Sequence, residues 1–435
     1  MRGRVVLGLA LALAACSGGG GKPHPRGQGS GAGSGSASAP FELVDPSARD
    51  AGTGPIADEI EPNDTDEQAT PLPLGGTLRG KLDPDTDVDR YKLDVAQAGA
   101  LSVMVSAVDA DLALELEDAS GAVVAKSDRG GVRVREGIPN FGVQPGRYTA
   151  VVRLVKHKAK KAAAGSGDAA KPPPVYEISA SVAPPAPGAE REPDEDRGAA
   201  NDLIIGDTGT GYLGWSGDTD VWKLSIEALS AKDAIDVELS AVDGVAYDVE
   251  LDDGVGALLV HRKTPRGAPL SIQGLVPAVP AGAPPFHYVV VKASGSNPET
   301  PYQLRVTAHV LGTDAEVEPD DTPDKPFALP PDRTVVHATW SPGDVDCFAL
   351  APSASARTVD AAIDPSGDVA LSAELLADGK SIAITPAAGK GAGVHVSGQV
   401  PASAKVVVRV RGDDRGAAGA YDIKVTDNSQ GDNGP

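Results

Sequence analysis

Three tandem antiparallel β-sandwiches on an N-terminal tether, an all-β chain, are what this 435-residue sequence predicts, on three observations. Gly 52 and Pro 37 together make up about a fifth of the chain, too much for long helices, while 41% apolar residues suffice for packed cores. A two-part acidic signature recurs three times with a fixed internal separation. Between its copies the apolar residues alternate with period two, as in half-buried strands bounded by Gly, Asp and Pro turns.

Met1-Arg2-Gly3-Arg4 is a short basic start, Val5 to Leu13 an apolar run too short to span a bilayer, and Leu13-Ala14-Ala15-Cys16 its end. Residues 1–15 therefore read as a signal peptide, and its last three positions with the cysteine resemble the bacterial lipobox. The resemblance implies a lipidated Cys16 as the mature N-terminus, and Ser17 after it implies sorting to the outer membrane. Several acyl chains on one residue, at about 0.8 kcal/mol per buried CH2, anchor stably, so the membrane is a partner through lipid. Residues 16–57, Gly, Ser, Ala and Pro with few large apolar side chains, read as a flexible tether with a reach of roughly 35 Å.

The first half of the signature is Glu59-Ile60-Glu61-Pro62-Asn63-Asp64, Glu190-Arg191-Glu192-Pro193-Asp194-Glu195 and Glu316-Val317-Glu318-Pro319-Asp320-Asp321. The second is Asp87-Val88-Asp89-Arg90-Tyr91, Asp218-Thr219-Asp220-Val221-Trp222 and Asp344-Val345-Asp346-Cys347-Phe348. From the second Glu to the first Asp the separation is 26 positions each time. The period is domain-sized and assigns sandwiches to 58–184, 185–311 and 312–427, with 428–435 as a disordered tail. Tyr91 and Leu93, Trp222 and Leu224, and Phe348 and Leu350 are matched pairs on one strand face. Leu112, Leu114 and Leu116 alternate with Ala113, Glu115 and Glu117 ahead of a Ser120-Gly121 turn. Each repeat closes on a strand opened by tyrosine: Tyr176, Tyr302 and Tyr421. Of two cysteines, Cys347 has no partner once Cys16 is acylated, so no internal disulfide is available and stability rests on burial.

Taken together, E-P-N-D-T, D-x-D-x-Y some 26 residues on, Gly146-Arg147-Tyr148 and a closing Y-x-[LI]-x-V strand resemble the bacterial pre-peptidase C-terminal (PPC) domain. That family includes the collagen-binding modules of secreted clostridial collagenases. The resemblance is fullest over Glu59 to Val182; repeat 3 departs from it with Ala404-Lys405-Val406 where G-x-Y is expected. It implies a jelly-roll-like sandwich without catalytic machinery. Calcium-binding relatives fold the acidic linker back onto the D-x-D turn around Ca2+. The resemblance thus assigns Glu59, Glu61, Asn63, Asp64 and Asp87 as ligands in repeat 1, with Asp89 as a further candidate. Its counterparts are Glu190, Glu192, Asp194 and Asp218 in repeat 2, and Glu316, Glu318, Asp320 and Asp344 in repeat 3. Ca2+ takes six to eight hard oxygens, which suits such a set. The competing reading of the same residues is a solvated, proline-fixed turn.

A net charge of −22 repels phosphate and excludes nucleic acid as a partner. The seven histidines form no H-E-x-x-H, with His287 and His309 reading as surface residues, and neither G-x-S-x-G nor a P-loop occurs. Asp83 to Asp94 imitates an EF-hand loop, but Val88 stands where glycine is required. Cys347, between an aspartate and a core aromatic, reads as an inert thiol. The lysines of 156–171 read as a solvated insertion. No small-molecule substrate is implied. The expectation is a non-catalytic envelope lipoprotein whose tandem modules bind or scaffold an extracellular or periplasmic protein or glycan through avidity. An accessory subunit of a secreted peptidase or secretion system is a variant of it. A hydrolase with its site in the irregular loops of repeats 2 and 3 is the alternative from another class.

Overall fold

A computed structural model describes residues 56–155, 172–277, 279, 282–331, 335–413 and 418–429; Cys16, nearly all of the tether and the lysines of 156–171 lie outside the described residues. The described chain is all-β, with 28 strands in six sheets and no helix.

In repeat 1 the strands are β1 (Ala57–Asp58), β2 (Thr70–Pro71), β3 (Gly76–Lys81), β4 (Val88–Val95), β5 (Gly99–Val105), β6 (Leu112–Glu117), β7 (Val123–Ser127), β8 (Glu136–Val143), β9 (Gly146–Leu154) and β10 (Val175–Ala183). They form two five-stranded sheets, ordered β1-β3-β10-β5-β8 and β2-β4-β9-β6-β7. Pairing is antiparallel apart from the short parallel starts β1–β3 and β2–β4. Repeats 2 and 3 reproduce this order with one strand fewer each.

Three separate cores fill the spaces between paired sheets, and each is built from the alternating residues. Tyr91 and Leu93 of β4 face Val103 and Ile178 in repeat 1; Trp222, Val249 and Leu304 do the same in repeat 2, and Phe348, Leu371 and Ile423 in repeat 3. Burial of one such side chain contributes about 1.5–3 kcal/mol, which is what holds sandwiches that have no disulfide. Cys347 is buried and has no disulfide partner among the described residues.

Four details differ from the sequence pattern. All six residues of β6 are buried, because Arg90 reaches across to Glu117 at 2.7 Å and Lys126 lies 3.5 Å from Glu115, covering the polar face with cation stems. His287 is buried rather than at the surface; its Nδ1 lies 2.9 Å from the Phe286 carbonyl, and burial pulls its pKa down. Ala57 already pairs with Leu78, one residue inside the stretch assigned to the tether. The closing strand of repeat 3, Gly419–Ser429, runs two residues into the stretch assigned to the tail, because strand Arg357–Pro365 offers it a partner as far as Arg357.

Candidate metal centres

The D-x-D signature places its two aspartates in different roles. The first caps the turn before the strand. Asp87 accepts from the amides of Asp83 (2.7 Å) and Val88 (3.0 Å), Asp218 from Gly214 (2.6 Å) and Thr219 (3.2 Å), and Asp344 from Val345 (2.9 Å). The second, two positions on, is in phase with the core aromatic, so Asp89, Asp220 and Asp346 point inward and are fully buried.

Each inward aspartate is met by the tyrosine that opens the closing strand. Tyr176 donates to Asp89, Tyr302 to Asp220 at 2.5 Å and Tyr421 to Asp346. In repeat 1 the network continues through Tyr91, 2.8 Å from the Tyr176 hydroxyl, to Glu59 at 2.5 Å. In repeat 2 the Trp222 indole donates to the Tyr302 hydroxyl at 2.8 Å. Asp220 and Asp346 are functional candidates that the sequence reading omitted, although their strand phase was visible.

The E-x-E-P segment folds over this buried acid. All three Glu–Pro peptide bonds are cis, and Glu61, Glu192 and Glu318 each accept from the amide two residues later, at 3.0, 3.2 and 3.1 Å. The result brings together oxygens of Glu59, Glu61 and Asp89; of Glu192, Asp194 and Asp220; and of Glu316, Asp320 and Asp346, each set within 4.8 Å. That spacing is about twice a Ca–O bond, so one ion could bridge each set. Asn63 is buried with its amide on Glu59 at 3.2 Å. Asp64 is exposed and accepts from the Val88 amide, and Glu190 is fixed by the Tyr212 amide at 2.7 Å. Asp87 and Asp218 cap their turns outside the bridging sets.

Electrostatics separates the three centres. In repeat 1, Glu59 and Glu61 open onto a cleft of about 720 Å³ rimmed by Arg79 and Lys81, while burial raises Asp89 to about 8. In repeat 2, Glu190, Glu192, Asp194, Asp218 and Asp220 are all buried. Burial first, then mutual repulsion, raises Glu192 to about 11, and burial raises Asp218 to about 8 and Asp194 to about 7. Among the described residues no basic side chain pairs with any of the five. One oxygen on each of Glu190, Glu192, Asp194 and Asp220 has no hydrogen-bond partner. Repeat 3 buries the matching five, and burial raises Asp320 to about 8 and Asp344 to about 6.

Into that third centre repeat 2 inserts Arg262, only 2% exposed. Its guanidinium donates to Asp344 at 2.6 Å, Asp321 at 2.7 Å and Glu318 at 3.2 Å. Ser127 holds the matching place in repeat 1, so among the described residues no arginine enters the centre of repeat 2.

Close packing also explains two glycines. A Cβ on Gly211 would lie 2.1 Å from Glu190 Oε2 and 2.5 Å from Tyr302 Cζ, and one on Gly80 would lie 2.4 Å from both Tyr91 and Tyr176. Gly211→Ala is expected to destabilise repeat 2 by about 1–3 kcal/mol, measured by urea unfolding; no loss would mean that the glutamate has room to retreat.

No family model matches the chain, and no curated protein matches it. Solved structures do. The pre-peptidase C-terminal domain of a Bacillus anthracis collagenase is 17% identical, covering 29% of this chain and 97% of its own, with a TM-score of 0.19. A turret protein of an archaeal virus, with a triple jelly roll fold, is 9% identical over 77% of this chain and 82% of its own, with a TM-score of 0.18. A secreted-type protein from Eubacterium rectale is 12% identical over 56% of this chain and 79% of its own, with a TM-score of 0.17. These likenesses concern fold alone.

Proposed function

We propose that this chain is a non-catalytic, lipid-anchored envelope protein whose sandwiches form a scaffold for an extracellular or periplasmic protein or glycan, fastened by calcium at its acidic centres. The observation that carries the reading is the repeat 2 centre: five buried carboxylates, oxygen donors only, four with an unpartnered oxygen and none with a basic partner among the described residues. Buried like charges call for a cation or for protons, and a hard oxygen set suits Ca2+. Glu192, Asp194 and Asp220 would hold the ion there, and Glu59, Glu61 and Asp89 in repeat 1. The centre of repeat 2 lies beneath Pro139 of repeat 1, which packs on Gly214, so an ion would fasten a junction as well as a fold. The same acids recur at matched places in three repeats, which speaks for architecture over a single active site.

Melting of the mature chain in excess Ca2+ and in chelator tests the metal. A site saturated a hundredfold over its Kd adds about 2.7 kcal/mol, so a melting temperature that does not move refutes calcium. Affinity capture with and without Ca2+ tests binding. Palmitate labelling that persists after Cys16→Ala would refute the anchor.

A further inference from the structure

Consecutive sandwiches are joined by the same device at both junctions. At the first, the Glu192 amide donates to the Asn140 carbonyl (3.2 Å) and the Gly142 amide to the Glu192 carbonyl (2.7 Å). At the second, the Glu318 amide donates to the Gly274 carbonyl (3.0 Å) and the Val276 amide to the Glu318 carbonyl (3.4 Å). Both are parallel bridges onto the second Glu of E-x-E-P, Phe141 to Glu192 and Leu275 to Glu318. Both depend on a bulge in the edge strand of the preceding sandwich, between the pairs Leu101–Phe141 and Val103–Ile138, and between Ile235–Leu275 and Val237–Ile272. The bulges put Asn140 and Gly274 at φ 52° and 72°, which turns their carbonyls out of the sheet toward the next repeat.

Repeat 1 presents the receiving half of this device with nothing on it among the described residues. Glu61, the counterpart of Glu192 and Glu318, is exposed, and its amide and carbonyl are unpaired among the described residues. Ile60 is 67% exposed; of its counterparts, Arg191 is also exposed but lays its stem on Gly142 of the preceding repeat, and Val317 is half-buried. The donating half is missing at the other end. Strand Val394–Val400 pairs with Arg357–Pro365 in unbroken register, without a bulge, and Thr385 stands where repeat 2 has Arg262. The two ends of the array are therefore not complementary, and a second copy of this chain does not supply the missing half.

We propose that the E-x-E-P face of repeat 1 docks the bulged edge strand of a β-sandwich domain on a different polypeptide, which carries a basic side chain into the acidic cleft as Arg262 does in repeat 3. The contact is heterologous, and because the far end is blunt it adds one partner and stops. Unpaired backbone groups of this kind recruit strands readily. The inference deepens the scaffold reading and gives it a partner fold.

A full-length donor chain tests it. Residues 394–399 are replaced by the seven residues found at 270–276, Thr385→Arg is added, and Ile60→Asp blocks the donor's own receiving face. Sedimentation of donor mixed with wild-type chain is expected to show a 1:1 complex that a wild-type chain carrying Ile60→Asp does not form, while the wild-type chain alone stays monomeric. A folded donor that leaves wild-type chain monomeric overturns the proposal, and so does self-association of wild-type chain that Ile60→Asp abolishes. Should the donor not fold, a second copy of residues 185–314 is inserted ahead of Asp58. Slowing of Glu61 amide exchange to the rate of Glu318 supports the docking face, and an unchanged rate overturns it. Neither arm depends on calcium or lipid, so failure here and failure of the metal reading are distinguishable.

Discussion

Arg262→Ala is expected to cost about 3–5 kcal/mol at neutral pH, because it strips the counter-charge from a buried acidic cluster and leaves the acids behind. The side chain comes from strand Leu258–Lys263 of repeat 2, yet three of its partners, Glu318, Asp321 and Asp344, belong to repeat 3. Its loss should therefore appear as earlier unfolding of the third sandwich. Trp340, whose indole donates to the Asp344 carbonyl at 3.1 Å, reports that unfolding by fluorescence. Arg262→Lys should recover only part of the loss, since one ammonium cannot reproduce a fork that reaches Asp321 through one nitrogen and Glu318 and Asp344 through the other. The vacated position is itself informative. Oxygens of Glu318, Asp321 and Asp344 lie within 4.8 Å of one another, so calcium should restore stability to Arg262→Ala more than it stabilises the wild-type third repeat. Equal urea midpoints for wild type and Arg262→Ala would show that the third centre needs no counter-charge from repeat 2.

The contrast between the repeats marks what a sequence can and cannot disclose. The strand phase of Tyr91, Leu93 and their counterparts is a local property, so the sandwich and its cores were legible from alternation alone. The acidic signatures were legible as pairs because their spacing is constant. What alternation also held, and the reading passed over, was that Asp220 and Asp346 share the phase of the core aromatics; an acid in phase with a core is a buried acid. The partnership of these aspartates with Tyr302 and Tyr421, about 80 positions away, depends on which strand closes the sheet beside them. Arg262 was the least legible of all. It is one basic residue in an exposed-looking strand, and only the docking of one sandwich on the next converts it into a counter-ion. The absence of a bulge from strand Val394–Val400 is likewise a matter of register, invisible until the partner strand is known.

In chelator, the chain is expected to lose stability as pH rises from about 4 to about 8, the reverse of a protein held together by ionised, salt-bridged carboxylates. The sign follows from where protons are held. An unfolded carboxyl titrates near 4, whereas burial raises Asp194 to about 7 and Asp218 and Asp320 to about 8 in the folded chain. Between those limits the folded state holds protons that the unfolded state has released, so each such group withdraws about 1.4 kcal/mol per pH unit as pH rises. The contribution is fully present below pH 4 and is gone once pH has passed the folded value. Calcium should flatten the slope, because an ion among Glu192, Asp194 and Asp220 stabilises the ionised forms that the rising pH produces. Asp194→Asn, which copies the Asn63 of repeat 1, should remove one proton from the slope in chelator and weaken the calcium response at the same time. Urea midpoints at pH 5, 6, 7 and 8, read from the buried Trp222, measure both effects. Stability that rises with pH in chelator would mean that the repeat 2 acids are ionised and compensated by something other than protons or calcium, and the metal centre would have to be abandoned with the pH argument.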